Sequence, residues 1–338
     1  MDEYLETLPS RHLEPLWSQM SMLAPHQPKP VARPHVWKHD EVMPCLAKAG
    51  EIVPEEKAER RVLILVNPSM KAPFTTDTIY AGLQLVNPGE TAPAHRHVAS
   101  AFRFIIDGEG FTAVEGQKLR LVRGDVIVTP TWHWHDHGNE SEKPIVWLDV
   151  LDLPLFTYAR VHFGEGYGEK RYPSKYDVFP HTYIPCKIWT GLGELTKLTD
   201  IYRPVEVSDW RHPWSETQSA LDAQPGDHAV YHYRNDAGQP LAATLGAQAE
   251  RISPGVSTAP TQDIRSFIYH CYSGQGHTVV EMQGGETVVL RWTERDTFAV
   301  PSWSKVSHVN ESDTEQAYLV GMHDGPFLDA LGLRRSRI

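Results

Sequence analysis

Histidines in two segments of the chain have the spacing of a metal site. His95 and His97 are separated by one residue, and His135 follows about forty residues later. On a β-strand, side chains at positions i and i+2 point to the same face, so His95 and His97 can direct two imidazoles at one point. A third imidazole from a neighbouring strand completes a facial set and leaves open metal positions for substrate and oxygen, as non-haem Fe(II) sites require. The sequence therefore predicts that His95, His97 and His135 bind one metal ion.

Chance clustering is the alternative, because most histidines are ordinary surface residues. In this chain, glycines, a proline and an asparagine surround the three histidines at fixed spacings: Gly89, Gly108, Gly124, Pro130 and Asn139. This regularity favours a built site. His133 lies two residues before His135 and is the alternative third ligand, should the loop have a different register.

Cysteine usage leaves histidine and carboxylate as the metal-binding residue types. Cys45, Cys186 and Cys271 are scattered, and the chain has no Cys-x-x-Cys motif. A disulfide framework or a thiolate zinc site is therefore not expected.

The composition indicates a soluble protein of two ordinary domains. A chain of 338 residues has enough material for two buried cores. Its net charge of -11 and isoelectric point near 5.9 argue against nucleic acid as a partner, because binding phosphates needs clustered lysine and arginine. No apolar run approaches the length of about 18 residues that a membrane helix needs, and the N-terminus lacks the apolar core of a signal peptide. We expect a cytoplasmic protein that binds neither nucleic acid nor membranes.

The first part of the chain is predicted to be helical. Apolar residues at helical spacing, interrupted by prolines, predict two short helices within residues 1–24. Four prolines in 25–36 favour an extended connector. A third short helix is predicted over 41–49, with Pro44 in its first turn and Gly50 at its end.

Beyond this part, short apolar and β-branched runs end in glycine, proline or asparagine, a pattern typical of an antiparallel barrel or jelly roll. The predicted strands begin at Arg61 and Thr78 and continue at 101–106, 111–114, 118–122, 125–129 and 145–150. Residues 153–225 are rich in proline and aromatic residues and are interpreted as a long connector with a helix at 215–222. A second strand-rich block follows from near residue 227 to about 324, and then a short helix and a basic tail, interpreted as a solvated end.

An internal repeat relates the two strand-rich blocks. The shared turn and strand residues lie 166 positions apart in the first half of each copy and 171 positions apart in the second half. The matching pairs include Gly89 and Gly255, Gly108 and Gly274, Glu115 and Glu281, Pro130 and Pro301, and Asn139 and Asn310. Agreement over so many positions predicts a duplicated β domain.

The histidines occur in one copy alone. The positions equivalent to His95, His97 and His135 are Thr261, Asp263 and Val306. Histidines that merely shape the fold would be expected in both copies, so their joint presence in one favours a shared metal ion. The second copy is therefore expected to serve packing or assembly.

The spacing around the histidines resembles the two motifs of the cupin family. Those motifs read Gly89-x5-His95-x-His97 and Gly124-x5-Pro130-x4-His135-x3-Asn139. Cupins commonly offer a glutamate four or five residues after the second histidine, but Ala101 and Phe102 occupy those positions here. The ligand set is therefore three neutral imidazoles.

That departure narrows the resemblance to one subgroup. The segments Tyr80-Ala-Gly-Leu-Gln84 and Ala94-His-Arg-His-x3-Ala-Phe-Arg103-Phe resemble the gentisate 1,2-dioxygenase family. The same subgroup of ring-cleaving enzymes includes salicylate and 1-hydroxy-2-naphthoate dioxygenases. The resemblance covers nearly the whole chain and is most specific between residues 60 and 150.

The resemblance implies a fold and an activity. The fold is all-β, with two tandem cupin domains, each a conical jelly-roll β-barrel. The domains are expected at 60–153 and 227–338. A helical arm is expected at 1–59 and a connector at 154–226. The activity is Fe(II)-dependent, extradiol-type cleavage of an aromatic ortho-hydroxy acid with O2, between the carboxyl-bearing and hydroxyl-bearing carbons. With gentisate (2,5-dihydroxybenzoate) the product is maleylpyruvate, in the degradation of aromatic compounds. Homotetramers are usual in such enzymes.

The neutral ligand set suits a chelating aromatic acid. Three imidazoles leave Fe(II) with its full charge of +2, and a carboxylate oxygen together with a phenolate oxygen neutralises it. No organic cofactor is then required. Mn(II) stays open as the metal, because imidazole ligands do not choose between metals sharply by affinity alone.

Arginines are the predicted contacts for the substrate carboxylate. Arg103 lies eight residues after His95, and its repeat partner is Tyr269, so the second copy lacks this charge. An outward salt bridge is the alternative role for Arg103. Arg60 or Arg61 is expected to add a second positive contact, but adjacent residues of a strand face opposite sides and only one can point inward. The family pattern favours Arg60.

His137 and Asp149 are the other predicted catalytic residues. His137 shares a face with His135 in an extended segment and is placed to position oxygen-derived groups or to donate to the substrate hydroxyl. Its repeat partner is His308, so a shared structural role is the alternative. Asp149 interrupts an apolar run and, when buried, needs a partner such as His137, an arginine or a ring hydroxyl. Alternatively, Asp149 caps the end of its strand.

Tyr80, Gly82 and Gln84 alternate on one face of the strand before the metal ligands. They are predicted to line the substrate pocket, where Gly82 leaves room for the ring. Tyr80 and Gln84 are equally compatible with core and edge positions.

Gentisate is the leading substrate hypothesis. The same chemistry on salicylate, a 5-substituted salicylate or 1-hydroxy-2-naphthoate is the first alternative. A bicupin that binds a small molecule without catalysis is the second, supported by the lack of metal ligands in the second copy.

Overall fold

The computed structural model of the protein describes residues 2–58, 60–172, 204–205 and 210–337. Within these residues, seven α-helices and one 3-10 helix accompany 23 strands. The helices are α1 (Asp2–Thr7), the 3-10 helix (Pro9–Arg11), α2 (Leu16–Leu23), α3 (His39–Ile52), α4 (Glu55–Ala58), α5 (Leu153–Ala159), α6 (Trp214–Asp222) and α7 (Gly325–Ala330). The two short helices predicted in residues 1–24, the helix at 215–222 and the helix near the C-terminus are thereby confirmed.

The strands divide into those before and those after α6. The earlier strands are β1 (His35–Trp37), β2 (Arg61–Ile64), β3 (Tyr80–Val86), β4 (Thr91–His97), β5 (Ala101–Asp107), β6 (Glu109–Val114), β7 (Gln117–Val122), β8 (Val126–Thr129), β9 (His135–Gly138), β10 (Ile145–Leu151), β11 (Gly164–Gly166), β12 (Pro204–Val205) and β13 (Arg211–His212). The later strands are β14 (His228–His232), β15 (Gly246–Ile252), β16 (Thr261–Asp263), β17 (Phe267–Ser273), β18 (Gln275–Glu281), β19 (Thr287–Thr293), β20 (Thr297–Val300), β21 (Lys305–Asn310), β22 (Ala317–His323) and β23 (Ser336–Arg337).

Four sheets combine into two barrels. The first barrel contains the sheets β13-β8-β5-β10-β3-β2 and β11-β4-β9-β6-β7-β12. The second barrel contains β1-β20-β17-β22-β15-β14 and β19-β18-β21-β16-β23. This architecture confirms the predicted all-β fold with two jelly-roll barrels.

Strand β5 is buried on both faces, which explains why all but Arg103 of its first six residues are apolar. Phe102 and Phe104 belong to a core that also contains Ala249 of the second barrel. Ile105 packs instead with residues of the opposite sheet of its own barrel. Because side chains alternate along a strand, Arg103 shares this interior face with Ile105. Burying each phenylalanine contributes about 1.5–3 kcal/mol, so the contact between barrels is a substantial part of the fold.

The duplication extends into the segments that precede each barrel. Strand β1 pairs with β20 of the second barrel, and β13 pairs with β8 of the first. Helix α3 packs on β2 and β3, and α6 packs on β14 and β15 in the same way. Each barrel is therefore preceded by a strand that joins the other barrel and by a helix that covers its own sheet.

Two buried carboxylates join the barrels reciprocally. Each follows the last long strand of its barrel and accepts a backbone N–H from that barrel and a threonine hydroxyl from the other. The bonds are those of Asp152 with Ser100 N (2.9 Å) and Thr244 Oγ1, and of Asp324 with Ser266 N (2.9 Å) and Thr78 Oγ1 (2.6 Å). Burial raises the pKa of Asp152 to about 7 and that of Asp324 to about 6. Both links lie at repeat-equivalent positions, so the duplication kept them.

The helix predicted over 41–49 is too short at both ends, because α3 runs from His39 to Ile52. Pro44 lies inside this helix rather than in its first turn. Because proline has no backbone N–H, it removes one hydrogen bond of the helix at that interior position. The complete burial of Leu46 helps to offset that loss. Gly50 does not end the helix. A Cβ there would lie 3.1 Å from Leu85, so the glycine lets α3 lie close to β3.

The basic tail is largely exposed to solvent, as expected, but it is also held to the second barrel. Strand β23 pairs with β16, where Arg337 lies opposite Gln262. Arg334 Nε lies 3.2 Å from Asp263 Oδ2. A two-residue strand has no periodicity to detect, so the tail is fixed by tertiary pairing and charge.

The connector predicted over 154–226 lies partly outside the described residues. Within its described part, β11 pairs with β4, the strand that carries His95 and His97. Among the residues that the structure describes, no helix has both the length and the apolar character required to span a membrane.

Candidate metal centre

Two neighbouring strands bring the three predicted ligands together. His95 and His97 lie on β4, and antiparallel pairing with β9 places His135 opposite His95. The ring centroids are 4.1 Å apart for His95 and His135, 4.9 Å for His97 and His135, and 5.6 Å for His95 and His97. One nitrogen of each ring lies within 4.8 Å of the other two. The three imidazoles are therefore arranged to hold one metal ion.

A backbone carbonyl fixes the outer nitrogen of each ring. Nδ1 lies 2.7 Å from Pro93 O in His95, 2.7 Å from Ala99 O in His97 and 2.8 Å from His133 O in His135. A carbonyl oxygen can only accept, so each Nδ1 carries the ring proton and each Nε2 is the unprotonated nitrogen. Such outer contacts orient the histidine ligands of metalloproteins.

Burial keeps the three imidazoles neutral. Desolvation lowers the pKa of His97 to about 3 and holds the pKa values of His95 and His135 well below the ordinary value of 6.5. His135 Nε2 is buried and has no hydrogen-bond partner among the described residues. Leaving such an atom unsatisfied costs about 1–3 kcal/mol, which a metal ion would relieve. Neutral nitrogen donors of this kind fit Fe(II).

Arg60 and Arg61 point to opposite sides. Arg60 precedes β2 and places Nη1 2.9 Å from His95 Nε2, beside the predicted ligands. Arg61 is buried. Its Nη2 donates to Glu90 Oε1 at 2.7 Å, and its Nε donates to Val53 O at 2.7 Å. Arg61 is thus committed to a structural ion pair. Because Arg60 uses the lone pair of His95 Nε2, metal binding requires this exposed side chain to turn away from that nitrogen.

The sheet opposite the histidines supplies a buried ion pair. Arg103 on β5 and Asp149 on β10 are cross-strand neighbours, with Arg103 Nε 3.0 Å from Asp149 Oδ1. Arg103 also donates from Nη1 to Thr129 Oγ1, and its Nη2 has no hydrogen-bond partner among the described residues. Burial raises the pKa of Asp149, although the charge of Arg103 opposes that shift. Asp149 lies within its strand rather than at the strand end, and its partner is an arginine.

His137 lies beside the cluster and is completely buried. Its Nδ1 is 2.8 Å from Thr112 Oγ1, whereas its Nε2 has no hydrogen-bond partner among the described residues. Its ring centroid is 5.4 Å from that of His135. In the second barrel, Thr278 Oγ1 is likewise 2.8 Å from His308 Nδ1. The threonine–histidine bond therefore belongs to both copies, and the neighbouring imidazoles belong to the first.

Tyr80, Gly82 and Gln84 lie on β3, next to the ion pair. Gly82 pairs with Asp149, so Gly82, Asp149 and Arg103 form one row across three strands. A Cβ at Gly82 would lie 2.8 Å from the Tyr80 hydroxyl. Burial and the charge of Asp149 raise the pKa of Tyr80. Gln84 is buried, and its Nε2 lacks a hydrogen-bond partner among the described residues.

Sequence reasoning missed three neighbours of the site. Trp147 is completely buried, and its ring centroid is 5.5 Å from that of His137. Because Trp147 lies two residues before Asp149 on the same strand, the sequence could have predicted that both face the site. Thr129 holds Arg103, and His162 lies in the connector with its ring 6.4 Å from His97. Neither carries a signal in the sequence.

The alternative third ligand lies outside the cluster. His133 does not belong to the group of three imidazoles, and its Nδ1 is 2.8 Å from Thr131 O. His135 occupies the ligand position in the register that the spacing predicts.

Comparisons with known proteins agree with this geometry. A family model described as "Cupin domain" matches residues 82–151. The chain is 34% identical to a 5-aminosalicylate 1,2-dioxygenase from Comamonas sp., over 100% of this chain and 90% of that protein. It is also 34% identical to gentisate 1,2 dioxygenase 1 from Aquipseudomonas alcaligenes, over 92% of this chain and 89% of the relative.

A solved structure extends the likeness to the whole fold. Salicylate 1,2-dioxygenase from Pseudoaminobacter salicylatoxidans, crystallised as an adduct with gentisate, superposes with a TM-score of 0.82 at 32% identity. The match covers 100% of this chain and 93% of that chain. The duplicated barrel, the three-histidine site and these full-length relatives lead to one conclusion. The chain belongs to the cupin family of gentisate 1,2-dioxygenases and related ring-cleaving dioxygenases.

Proposed function

We propose that the protein is an Fe(II)-dependent dioxygenase that opens the ring of gentisate between the carboxyl-bearing and the adjacent hydroxyl-bearing carbon, giving maleylpyruvate. The observation that carries the proposal is the set of three neutral imidazoles facing a buried arginine. His95, His97 and His135 would hold the ion through Nε2. Iron bound there supplies a charge of +2 and open positions at which a chelating acid and O2 meet.

Arg103 binds the substrate carboxylate in this proposal. Its Nη2 is available, whereas Asp149 and Thr129 hold the rest of the guanidinium. A charge-assisted hydrogen bond in a site without water is roughly twice as strong as a neutral one. Because Arg103 is held from two sides, the acid binds with a fixed orientation. Arg60, whose Nη1 is 2.9 Å from His95 Nε2, adds a second positive contact at the rim.

His137 handles the proton of the substrate hydroxyl. Burial holds its pKa well below the ordinary value, so the ring is neutral, and a ring that donates from Nδ1 to Thr112 has Nε2 as the acceptor of that proton. Thr112 fixes the ring through Nδ1. Asp149 acts through Arg103, whose position it sets.

Gentisate is favoured over salicylate by a buried donor. Gln84 Nε2 has no hydrogen-bond partner among the described residues, and Gln84 is paired with Trp147 across β3 and β10. A second ring hydroxyl, which gentisate has and salicylate lacks, satisfies such a donor. Tyr80 and Gly82 shape the pocket beside them. A 5-substituted salicylate is the second candidate, supported by the relative named for 5-aminosalicylate.

The test is oxygen uptake by the metal-loaded enzyme. Protein reconstituted anaerobically with Fe(II) or Mn(II) receives gentisate, 5-aminosalicylate, salicylate or 1-hydroxy-2-naphthoate. We expect Fe(II)-loaded protein and gentisate to give the highest kcat/KM, with one O2 consumed for each maleylpyruvate formed. A protein that holds iron and consumes no O2 with any of these acids would contradict the proposal and favour the non-catalytic bicupin.

We further propose that the enzyme is a cytoplasmic homotetramer. Support comes from the exposed apolar side chains of α2, among which Trp17 and Met22 are each 66% exposed. Isolated apolar residues on a surface are common, but a group of this kind is typical of an interface. Light scattering on the purified protein should give four times the chain mass, and cell fractionation tests the location.

A further inference from the structure

The second barrel contains a cavity where the first barrel has its metal centre. The cavity measures about 320 Å³, and its wall includes Thr261, Asp263 and Val306, the residues equivalent to the three histidines. Small-molecule pockets occupy roughly 300–1,000 Å³, whereas a small barrel with a packing role is filled by its own side chains. The second barrel lacks the three histidines but contains a cavity at their position.

We propose that this cavity is a non-catalytic binding site for a monocyclic aromatic carboxylic acid. The apolar part of the wall suits a flat ring, since it is formed by aromatic and branched side chains: Val230, Phe267, Val300, Val306 and Tyr269. The rings of Phe267 and Tyr269 are stacked, with centroids 5.1 Å apart and an interplanar angle of 13°. Arg265 lies over Phe267 and Phe298 stacks on Tyr269, so a further ring can pack against the edges of these two rings.

The negative charges of the wall already have partners, which argues against a cationic ligand. The buried Glu250 accepts hydrogen bonds from Gln248 Nε2 at 2.7 Å and Tyr269 OH at 3.0 Å, and His228 Nε2 lies 2.9 Å from its other oxygen. Asp263 is shared by two guanidinium groups, at 3.1 Å from Arg265 Nε and 3.2 Å from Arg334 Nε.

Arg265 offers an unused donor to the cavity. Its guanidinium lies over the ring of Phe267, with Cζ 4.6 Å from the ring centroid. Nε faces Asp263, and Nη1 makes a long bond of 3.4 Å to Gln248 Oε1. Nη2 has no hydrogen-bond partner among the described residues. A planar guanidinium with free N–H groups is the side chain best suited to bind a carboxylate.

His308 offers a second donor, as its hydrogen bonds indicate. Trp292 Nε1 donates to Thr278 Oγ1 at 2.9 Å, and the same oxygen is 2.8 Å from His308 Nδ1. A threonine hydroxyl that donates its own hydrogen to Nδ1 leaves the proton of the neutral ring on Nε2. His308 lines the cavity, and its Nε2–H therefore complements an acceptor. Anionic oxygen atoms are the groups that both Arg265 and His308 can bind.

Benzoate is the probe, because it has the ring and the carboxylate but no ortho-hydroxyl to chelate a metal. Calorimetric titration of the Fe(II)-loaded protein should show benzoate bound in the second barrel. We expect Arg265→Met to raise the Kd at least tenfold and Val306→Phe, which fills the cavity, to abolish that binding. Both variants should keep their turnover of gentisate, which reports that they are folded.

Two matched variants locate the site. Arg291→Met removes a 68% exposed arginine from β19 and should leave benzoate binding unchanged. Arg103→Met alters the first barrel and should also leave the second-barrel site intact. No benzoate binding at millimolar concentration, binding unaffected by both cavity variants, or binding lost in Arg103→Met alone would each overturn the proposal. Because binding is measured without turnover, its failure is distinguishable from a failure of the proposed dioxygenase activity.

Discussion

The two barrels have the same fold and differ in the side chains that line their interiors. His95 lies opposite His135 in the first barrel, and Thr261 lies opposite Val306 in the second, at the same point of the same strand pair. The two aspartate links, which are common to both copies, concern the fold. The features that differ concern chemistry. The duplicated barrel thus serves as an internal control for the first.

The residues opposite the histidines also differ between the two barrels. Arg103 pairs with Asp149 in the first barrel, and Tyr269 pairs with Gly321 in the second. A Cβ at Gly321 would lie 2.6 Å from the Tyr269 ring, so the glycine makes room for the tyrosine. A buried charge pair has been exchanged for an aromatic ring that bonds to Glu250. The first barrel thus has a buried arginine opposite its histidines, whereas the second barrel has a tyrosine ring at that position.

The largest difference between the barrels should appear on removal of a metal ligand. His97→Ala leaves two imidazoles, and we expect loss of bound iron and of all measurable O2 uptake. Thr261→Ala, at the position of the second barrel equivalent to His95, should leave both nearly unchanged. Iron content and oxygen consumption measure the effect. Equal losses in the two variants would refute the assignment of the chemistry to one barrel.

The next largest effect is expected at the buried ion pair. Arg103→Met removes the proposed carboxylate contact and leaves Asp149 buried without its partner, a change that costs about 2–5 kcal/mol. We expect kcat/KM for gentisate to fall by roughly two to three orders of magnitude and the melting temperature to fall as well. Adding Asp149→Asn should restore much of the stability and none of the activity. Tyr269→Phe, at the equivalent position, should leave kcat/KM unchanged.

A smaller effect is expected at the two threonine–histidine bonds. Thr112→Val removes one buried hydrogen bond, and Thr278→Val removes two, because Trp292 Nε1 also donates to Thr278 Oγ1. Each bond is worth about 0.5–1.5 kcal/mol of unfolding free energy. Because His137 sits beside the metal ligands and His308 does not, only Thr112→Val should also lower kcat, by roughly tenfold. Denaturant unfolding and steady-state kinetics separate the two outcomes. A similar loss of kcat in both variants would mean that the bond acts through the fold.

The last prediction concerns the pH dependence of the links between the barrels. The pKa of Asp152 is raised to about 7 and that of Asp324 to about 6, so the folded protein binds these protons more tightly than the unfolded chain does. Their contribution to stability is therefore complete below about pH 4, the carboxyl pKa of an unfolded chain, and declines as the pH rises toward 7. The slope is at most about 1.4 kcal/mol per pH unit for each group.

Asparagine variants test this link. We expect Asp152→Asn to flatten the decline up to pH 7 and Asp324→Asn to flatten it up to pH 6, as measured by denaturant unfolding of the iron-loaded protein. Unchanged pH profiles in both variants would show that these carboxyls are already ionised in the fold.

The sequence predicted the strands well and the surroundings of the barrels poorly. Alternation and turn residues locate β5, β8 and β10 because those signals are local. Strands β1 and β13 escape detection, since each is short and is stabilised by pairing with the other barrel. Gly50 misleads for a related reason, because its role is close packing against Leu85 rather than helix termination.

What the sequence alone determined is the three-histidine set, the loss of that set in the second copy, and the family. Those conclusions need residue types and spacings only. The tertiary structure decided which arginine faces the ligands, that Asp149 pairs with Arg103, and that the second barrel contains a cavity with free donors. Each of these depends on which side chains meet across separate sheets. Spacing along the chain does not encode such distances, because packing of the whole barrel sets them.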